Sequence, residues 1–477
     1  MSAQPLWTTG KLTDAARGTL RGTSGAEAVT GISIDTRSIA PGEAFFAIRG
    51  DRLDGHEYAN AALERGASVA VVEEAFAAKQ PSNARLIVVN DTLEALRNAG
   101  VAARARSGAK IVAVTGSVGK TSTKEALRIA LGASGEVHAS AASFNNHWGV
   151  PLSLSRLPEA VKFGVFEIGM NHAGEIEPLV KMVRPHVAIV TTVEPVHLEH
   201  FSGIEAIADA KAEIFLGLEP GGAVLLYRDN PQYARLAESA KRAKAGHVLS
   251  FGEHESADVR LLDVALKEDA SAAHALVLGD EVMFKLGAPG KHLVMNALAV
   301  LAAVKLMSAD LAKAALALGD YTPPQGRGRR VPLQLPGGSG LLIDESYNAN
   351  PASMRAAIEV LSRAPLGNGG RRIAVLGDML ELGEEGPALH AGLAAPLANG
   401  GIDLVFCSGP LMRSLWDALS PGQRGGYAES AAELEPDVIS ALRGGDAIMV
   451  KGSNGSRMGP LAASIAQKFG MPAKVSA

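Results

Sequence analysis

The segment Val112-Ala113-Val114-Thr115-Gly116-Ser117-Val118-Gly119-Lys120-Thr121-Ser122 narrows the possible folds of this chain more than any other stretch. Its apolar, largely β-branched start reads as a strand buried on both faces. The strand runs into a glycine-containing turn, and a helical pattern begins near Lys120. A strand, a glycine loop and a helix in that order belong to an open α/β sheet. Backbone N–H groups freed by Gly116 and Gly119 can converge on an anion, and the helix N-terminus adds favourable partial charge. Thr115 through Ser122 is therefore the candidate polyphosphate site, with Lys120 on the β- and γ-phosphates and the Thr121 hydroxyl toward magnesium. The common phosphate-loop pattern has a glycine where this chain has Val114, so the general form is not met in full. An ordinary strand-to-helix turn with a solvated lysine is the alternative. The order of strand, glycines, Gly-Lys-Thr and helix disfavours it.

At 477 residues the chain exceeds one ordinary core, and roughly 150 residues per domain implies about three domains. Aromatic residues are scarce (4%) in a chain that is 47% apolar, which favours helices packed on buried strands. Short strand-like runs at Ala44–Ile48, Val69–Val72 and Leu86–Val89 alternate with Ala-rich helical stretches. Val165–Ile168 and Val187–Thr192 continue the pattern as buried parallel strands. Pro323-Pro324-Gln325-Gly326-Arg327-Gly328-Arg329-Arg330 cannot continue a helix and reads as a hinge. Beyond it, Leu341–Ile343, Ile373–Leu376, Leu404–Cys407 and Ala447–Val450 predict a second doubly wound sheet. The expected domains are 1–107, 108–324 and 325–477.

A net charge of −4 gives no general drive toward nucleic acid or anionic membranes. Cys407 is the single cysteine, so no intrachain disulfide forms, and its apolar neighbours read as core. Met1 to Lys11 lacks an apolar run of signal-peptide length. The apolar run Met295–Met307 is interrupted by Lys305 and is too short to span a bilayer. The expectation is a soluble, cytoplasmic protein.

Three further segments follow strands or helices near the phosphate loop. Glu167 ends a hydrophobic strand, where a metal-ligating carboxylate belongs in an open sheet, although a lone strand-end glutamate is more often a cap. His197 lies in Glu194-Pro195-Val196-His197-Leu198-Glu199-His200 and could bind metal, but a single loop histidine is weak evidence. Lys211, in Asp209-Ala210-Lys211-Ala212-Glu213, by itself reads as a solvated helix face.

Together these segments resemble the Mur ligase family, ATP-dependent amide-forming enzymes of peptidoglycan precursor synthesis. The family's shorter Thr-Gly-x-x-Gly-Lys-Thr loop matches Thr115 to Thr121 and removes the objection from Val114. The resemblance implies three α/β domains: a small N-terminal uridine-nucleotide-binding domain, a central P-loop ATPase-like domain with a parallel sheet, and a C-terminal Rossmann-like domain. It implies ATP and two Mg2+ ions, with Glu167, His197 and a carbamylated Lys211 around the metal. Asn296, in Gly290-Lys291-His292-Leu293-Val294-Met295-Asn296, takes the adenine contact. The hinge arginine that reaches the γ-phosphate falls on Arg327 or Arg329. Glu345, Tyr347, Asn348 and Asn350 belong to Asp344-Glu345-Ser346-Tyr347-Asn348-Ala349-Asn350-Pro351, which is similar to the motif that closes over nucleotide and substrate.

Asp35, Thr36 and Arg37 are similar to the uridine-nucleotide sites of the family's later ligases. Ser143-Phe144-Asn145-Asn146-His147-Trp148, Glu167-Ile168-Gly169-Met170-Asn171-His172 and Leu376-Gly377-Asp378-Met379 look like the branch that uses D-alanyl-D-alanine. Asp229-Asn230-Pro231 is followed by Gln232, so the Asp-Asn-Pro-Arg signature of the diaminopimelate-adding branch is missing. The implied substrates are UDP-N-acetylmuramoyl-tripeptide, bound through Asn145, Asn146 and Asn171 among others, and D-alanyl-D-alanine. The implied state is a monomer, and His172 and His200 are candidate bases for the incoming ammonium.

Overall fold

The computed structural model describes residues 5–50, 52–141, 144–196 and 198–471. His197, expected at the metal, and Ser143, from the asparagine-rich run, lie outside the described residues. Three large sheets follow one another along the chain, each flanked by helices, in agreement with the α/β class expected.

The first sheet has five strands in the order Thr19–Arg21, Leu86–Val89, Val69–Glu73, Ala44–Phe46, Ile32–Ser33. All neighbours are parallel except the Thr19–Arg21 edge. One face carries its own cluster around Phe45, Ala70, Val72 and Leu86, while the other face shares a core with the next layer. Trp7, Phe46 and Val71 belong to one buried cluster with Val150, Phe166 and Ile176 of the second sheet's layer. Arg156 Nε also donates to Ile32 O at 2.6 Å, and Trp7 Nε1 donates to Ser155 O at 3.1 Å. Shared apolar burial and these long-range bonds weld the first two layers together.

The central sheet has nine strands. Seven run parallel, with Lys110–Thr115 between Phe163–Glu167 and Val187–Val190. Val187–Val190 ends before Thr191, whose N–H still donates to Thr115 O at 3.0 Å while its hydroxyl serves the phosphate loop by donating to Val118 O. Phe163–Glu167 starts earlier than its β-branched run suggests, because Gly164 pairs with Ile111 although glycine has poor strand propensity. At the far edge the sheet turns antiparallel through Val259–Leu266, Ser271–Val277 and Asp280–Leu286. The helix Lys291–Leu306 is buried along most of its length against Val114, Leu127 and Ile189. That burial explains its apolar composition, and no described helix is long and apolar enough to cross a membrane.

The third sheet has six strands in the order Arg329–Leu335, Gly338–Glu345, Ala447–Lys451, Arg372–Gly377, Leu404–Ser408, Arg424–Ala428. Only its first pair is antiparallel. Apolar clusters on both faces make it doubly wound, with Cys407 in one of them. An ion pair closes the end of this sheet opposite the site. Asp446, whose side chain is wholly buried, accepts from Arg371 N at 3.0 Å, Arg371 Nη2 at 2.8 Å and Arg443 N at 3.0 Å. Asp446→Ala leaves two amides without their acceptor and the guanidinium with only the Ala441 carbonyl. It should lower unfolding stability by about 3–5 kcal/mol, read as a reduced denaturation midpoint.

Candidate active site

Chain order places a crevice at the C-terminal end of Lys110–Thr115. The strands that follow lie first on one side of it, at Val137–Ala139 and Phe163–Glu167, and then on the other, at Val187–Val190. Loops that leave in opposite directions open a cleft at such a reversal. The loop Gly116–Gly119 fills that position.

Its two glycines are required by geometry. Gly116 has φ +147° and Gly119 has φ +86°. A Cβ on Gly116 would run into Thr191 Oγ1, and one on Gly119 would sit 2.8 Å from the Asn296 amide. Ser117 N donates to Thr192 O at 2.9 Å, and Ser117 Oγ donates to Glu194 O at 3.1 Å. The loop is therefore fixed by the neighbouring strand's end. The helix Lys120–Gly132 starts with no side-chain cap, so its first amides have no competing acceptor from a cap residue.

The half-buried Lys120 folds back so that Nζ donates to Gly116 O at 2.7 Å. Burial holds its pKa below the usual lysine range; Glu167 opposes that shift, while Arg327 reinforces it. Glu167 is 1% exposed and takes two hydrogen bonds, from Thr121 Oγ1 at 2.8 Å and Asn145 Nδ2 at 2.7 Å. Lys211, far from being a solvated helix lysine, is 2% exposed. No hydrogen bond or ion pair reaches its ammonium among the described residues. Burial, and then repulsion from Lys120, drives its pKa well below the ordinary lysine value. A neutral amine in such surroundings can react with an electrophile at neutral pH.

A cavity of about 500 Å³ opens over the loop, between the second and third sheets. From the central layer, Ser117 to Lys120, Ser122, Asn145, Asn146, Glu167, Asn171 and Asn296 line it. Arg327, Glu345, Tyr347, Asn348 and Asn350 face them from the other side. Thr115, Gly116 and Thr121 stand behind this wall: the Thr115 side chain is buried beneath the loop, and Thr121 turns to Glu167. Of the two hinge arginines, Arg327 lines the cavity with its guanidinium 4.0 Å from the centre of the Tyr347 ring. Arg329 begins an edge strand and is exposed.

Some expected residues lie elsewhere. Asp35, Thr36 and Arg37 follow the edge strand of the first sheet and do not line this cavity; Asp35 pairs with Arg37 at 2.7 Å. The His172 and His200 rings meet at a 42° tilt with centroids 4.4 Å apart, and neither lines the cavity. Lining residues that the sequence reading passed over include Thr191, Glu194, Tyr227 and Lys451. Burial raises the Glu194 carboxyl above its usual range. Lys451 had a sequence signal, a lysine that ends a buried strand just before Gly452-Ser453-Asn454-Gly455.

The family model for the Mur ligase middle domain matches residues 114–304, the Mur ligase glutamate ligase domain matches 329–454, and the Mur ligase family catalytic domain matches 28–106. A UDP-N-acetylmuramoyl-tripeptide–D-alanyl-D-alanine ligase from Escherichia coli is 33% identical over 94% of this chain and 96% of its own. The ligase of that name from Rickettsia prowazekii is 30% identical over 90% and 93%. Among solved structures, MurF from Acinetobacter baumannii superposes with a TM-score of 0.82 at 29% identity, covering 97% of this chain and all of that one. MurF from Thermotoga maritima in complex with ADP gives 0.74 at 25% identity, over 92% and 97%. With the phosphate loop, the buried carboxylate and the hinge arginine around one cavity, and with likeness running through all three sheets, the chain belongs to the Mur ligase family.

Proposed function

We propose that this chain joins D-alanyl-D-alanine to UDP-N-acetylmuramoyl-tripeptide at the expense of ATP, giving ADP and phosphate. The observation that carries this reading is the cavity itself: the Gly116–Thr121 loop and Arg327 meet across a space large enough for a triphosphate and an acyl group. A carboxylate is a poor electrophile. In this reading a carboxylate oxygen of the tripeptide attacks the γ-phosphorus and ADP leaves. The dipeptide's neutral amine then attacks the acyl carbon, and phosphate departs with that carboxylate oxygen.

Lys120 and Arg327 neutralise charge that builds on the transferring phosphoryl group. Amides from Thr115 to Ser122 cradle the phosphates, Asn296 contacts the adenine, and Glu345 holds the nucleotide-side wall. The donor set fits magnesium on one observation: Lys211 is a buried amine without a partner among the described residues, which carbon dioxide would convert to a carbamate anion and a released proton. Thr121, Glu167, His197 and carbamylated Lys211 would then hold two Mg2+ ions. Bound there, magnesium supplies charge neutralisation for the phosphates. Asn145, Asn146, Asn171, Tyr347, Asn348 and Asn350 orient the tripeptide and the incoming dipeptide. Asp35, Thr36 and Arg37 hold the distant uridine end. Residues 1–107, 108–324 and 325–477 divide accordingly into uridine, ATP and amine-side domains, closing about the Pro323–Arg330 hinge as a monomer in the cytoplasm.

Heavy-oxygen labelling of the tripeptide carboxylate tests the sequence of bonds. Label should appear in the liberated phosphate, and phosphate release should require both the carboxylate and the dipeptide. Unlabelled phosphate, or turnover indifferent to both substrates, would instead describe a nucleotide-driven switch.

A further inference from the structure

Lys451 ends the strand Ala447–Lys451, in register with Glu345 of the neighbouring parallel strand. Its ammonium is buried, 2% exposed as a residue, yet it reaches the cavity wall. It donates to Asn348 O at 2.9 Å and lies 3.4 Å from Glu345 Oε2. These two partners flank Tyr347. The aromatic ring between them is the one on which the Arg327 guanidinium rests, 4.0 Å from its centre.

The same carboxylate touches the hinge. A Cβ placed on Gly328, which has φ +100°, would sit 3.1 Å from Glu345 Oε1. Gly328 N donates to Asp344 O at 2.8 Å, and Tyr347 N donates to Gly326 O at 3.0 Å. Residues 326–328 are thus held against residues 344–347, and Lys451 anchors that second segment at both ends. Backbone bonds and the Asp344 carboxylate fix the path of this segment, while Tyr347 is 37% exposed, so the Lys451 contacts on either side of it add to what holds the ring.

We infer that Lys451 is a positioning residue of the ligase reaction: by gripping Glu345 and the Asn348 carbonyl, it sets the Tyr347 ring and, through it, the place of Arg327 over the phosphate loop. It touches no substrate in this role. The inference rests on the proposed part of Arg327 in phosphoryl transfer. Its effect is to hold a charge in place, and misplacement of a reacting geometry by an ångström costs on the order of 10²-fold in rate.

A double-mutant cycle in the full-length enzyme separates this from a merely structural role. Lys451→Met keeps the length of the side chain and removes its charge. It should lower kcat by roughly 10- to 100-fold, with a smaller change in KM for the UDP-linked tripeptide, because that substrate's uridine end binds elsewhere. Arg327→Ala should cost far less in the Lys451→Met background than in the wild type. Glu345→Gln paired with Arg327→Ala gives the same cycle if the Lys451 variant fails to fold. A wild-type kcat for Lys451→Met, or rate losses for Lys451→Met and Arg327→Ala that simply multiply, would overturn the inference while leaving the ligase reading intact. A wild-type rate for Arg327→Ala alone would remove the inference together with the part given to Arg327 in phosphoryl transfer.

Discussion

Lys120→Ala is expected to lower the rate of amide formation by about 10²- to 10³-fold, a loss of ~3–4 kcal/mol in transition-state stabilisation. The lysine is half-buried beside Glu167 and opposite Arg327, so its charge acts in surroundings where water screens poorly. The loop should survive the change. It loses the Lys120 Nζ bond to Gly116 O, but Ser117 still ties it to Thr192 and Glu194 and the two glycines still set its turns. The variant's melting temperature should therefore match the wild type within a few degrees while initial rates collapse. Rates within a factor of a few of the wild type would show that Gly116–Thr121 does not grip the transferring phosphate.

Lys211→Ala should abolish activity to a similar degree, yet it should not destabilise the protein as loss of a paired lysine would. The ammonium is buried and makes no ion pair among the described residues, so the charged form is disfavoured. Removing an amine that has no partner among the described residues relieves that penalty and offsets part of the cost of deleting its buried stem, so the loss of stability should be smaller than for a paired buried lysine. Only the neutral amine attacks carbon dioxide, and the depressed pKa raises the share of that form. Short carboxylates such as formate or acetate should restore part of the rate in Lys211→Ala by supplying the missing anion. Depleting carbon dioxide should slow the wild type and leave the rescued variant unaffected. Full activity in Lys211→Ala would take the residue out of the mechanism.

The phosphate loop was readable from its own residues because its causes are local. A β-branched strand, two glycines with positive φ and a helix start lie within a dozen positions, and each acts on its immediate neighbours. The strand cores of the third sheet were readable for the same reason: Ile373–Leu376 and Leu404–Cys407 fall inside the observed strands because continuous apolar runs mark strands buried on both faces. The antiparallel edge of the central sheet was not anticipated. In Ser271–Val277 alternate side chains face solvent, and a half-exposed edge carries a weaker apolar signal than a buried strand.

The sequence by itself thus determined the α/β class, the phosphate loop, the strand cores and the set of chemically able residues. Only the tertiary structure decided which of those residues share a cavity. Lys211 and Lys451 look like ordinary lysines until packing removes their water. Arg327 and Arg329 are two positions apart, yet one faces the cavity and the other solvent, because the hinge turns at Gly326 and Gly328 before the edge strand begins. His172 and His200 meet each other instead of the cavity. The physical reason is range. Backbone conformation answers to neighbours along the chain, whereas desolvation and the convergence of charges depend on how distant sheet ends are packed together.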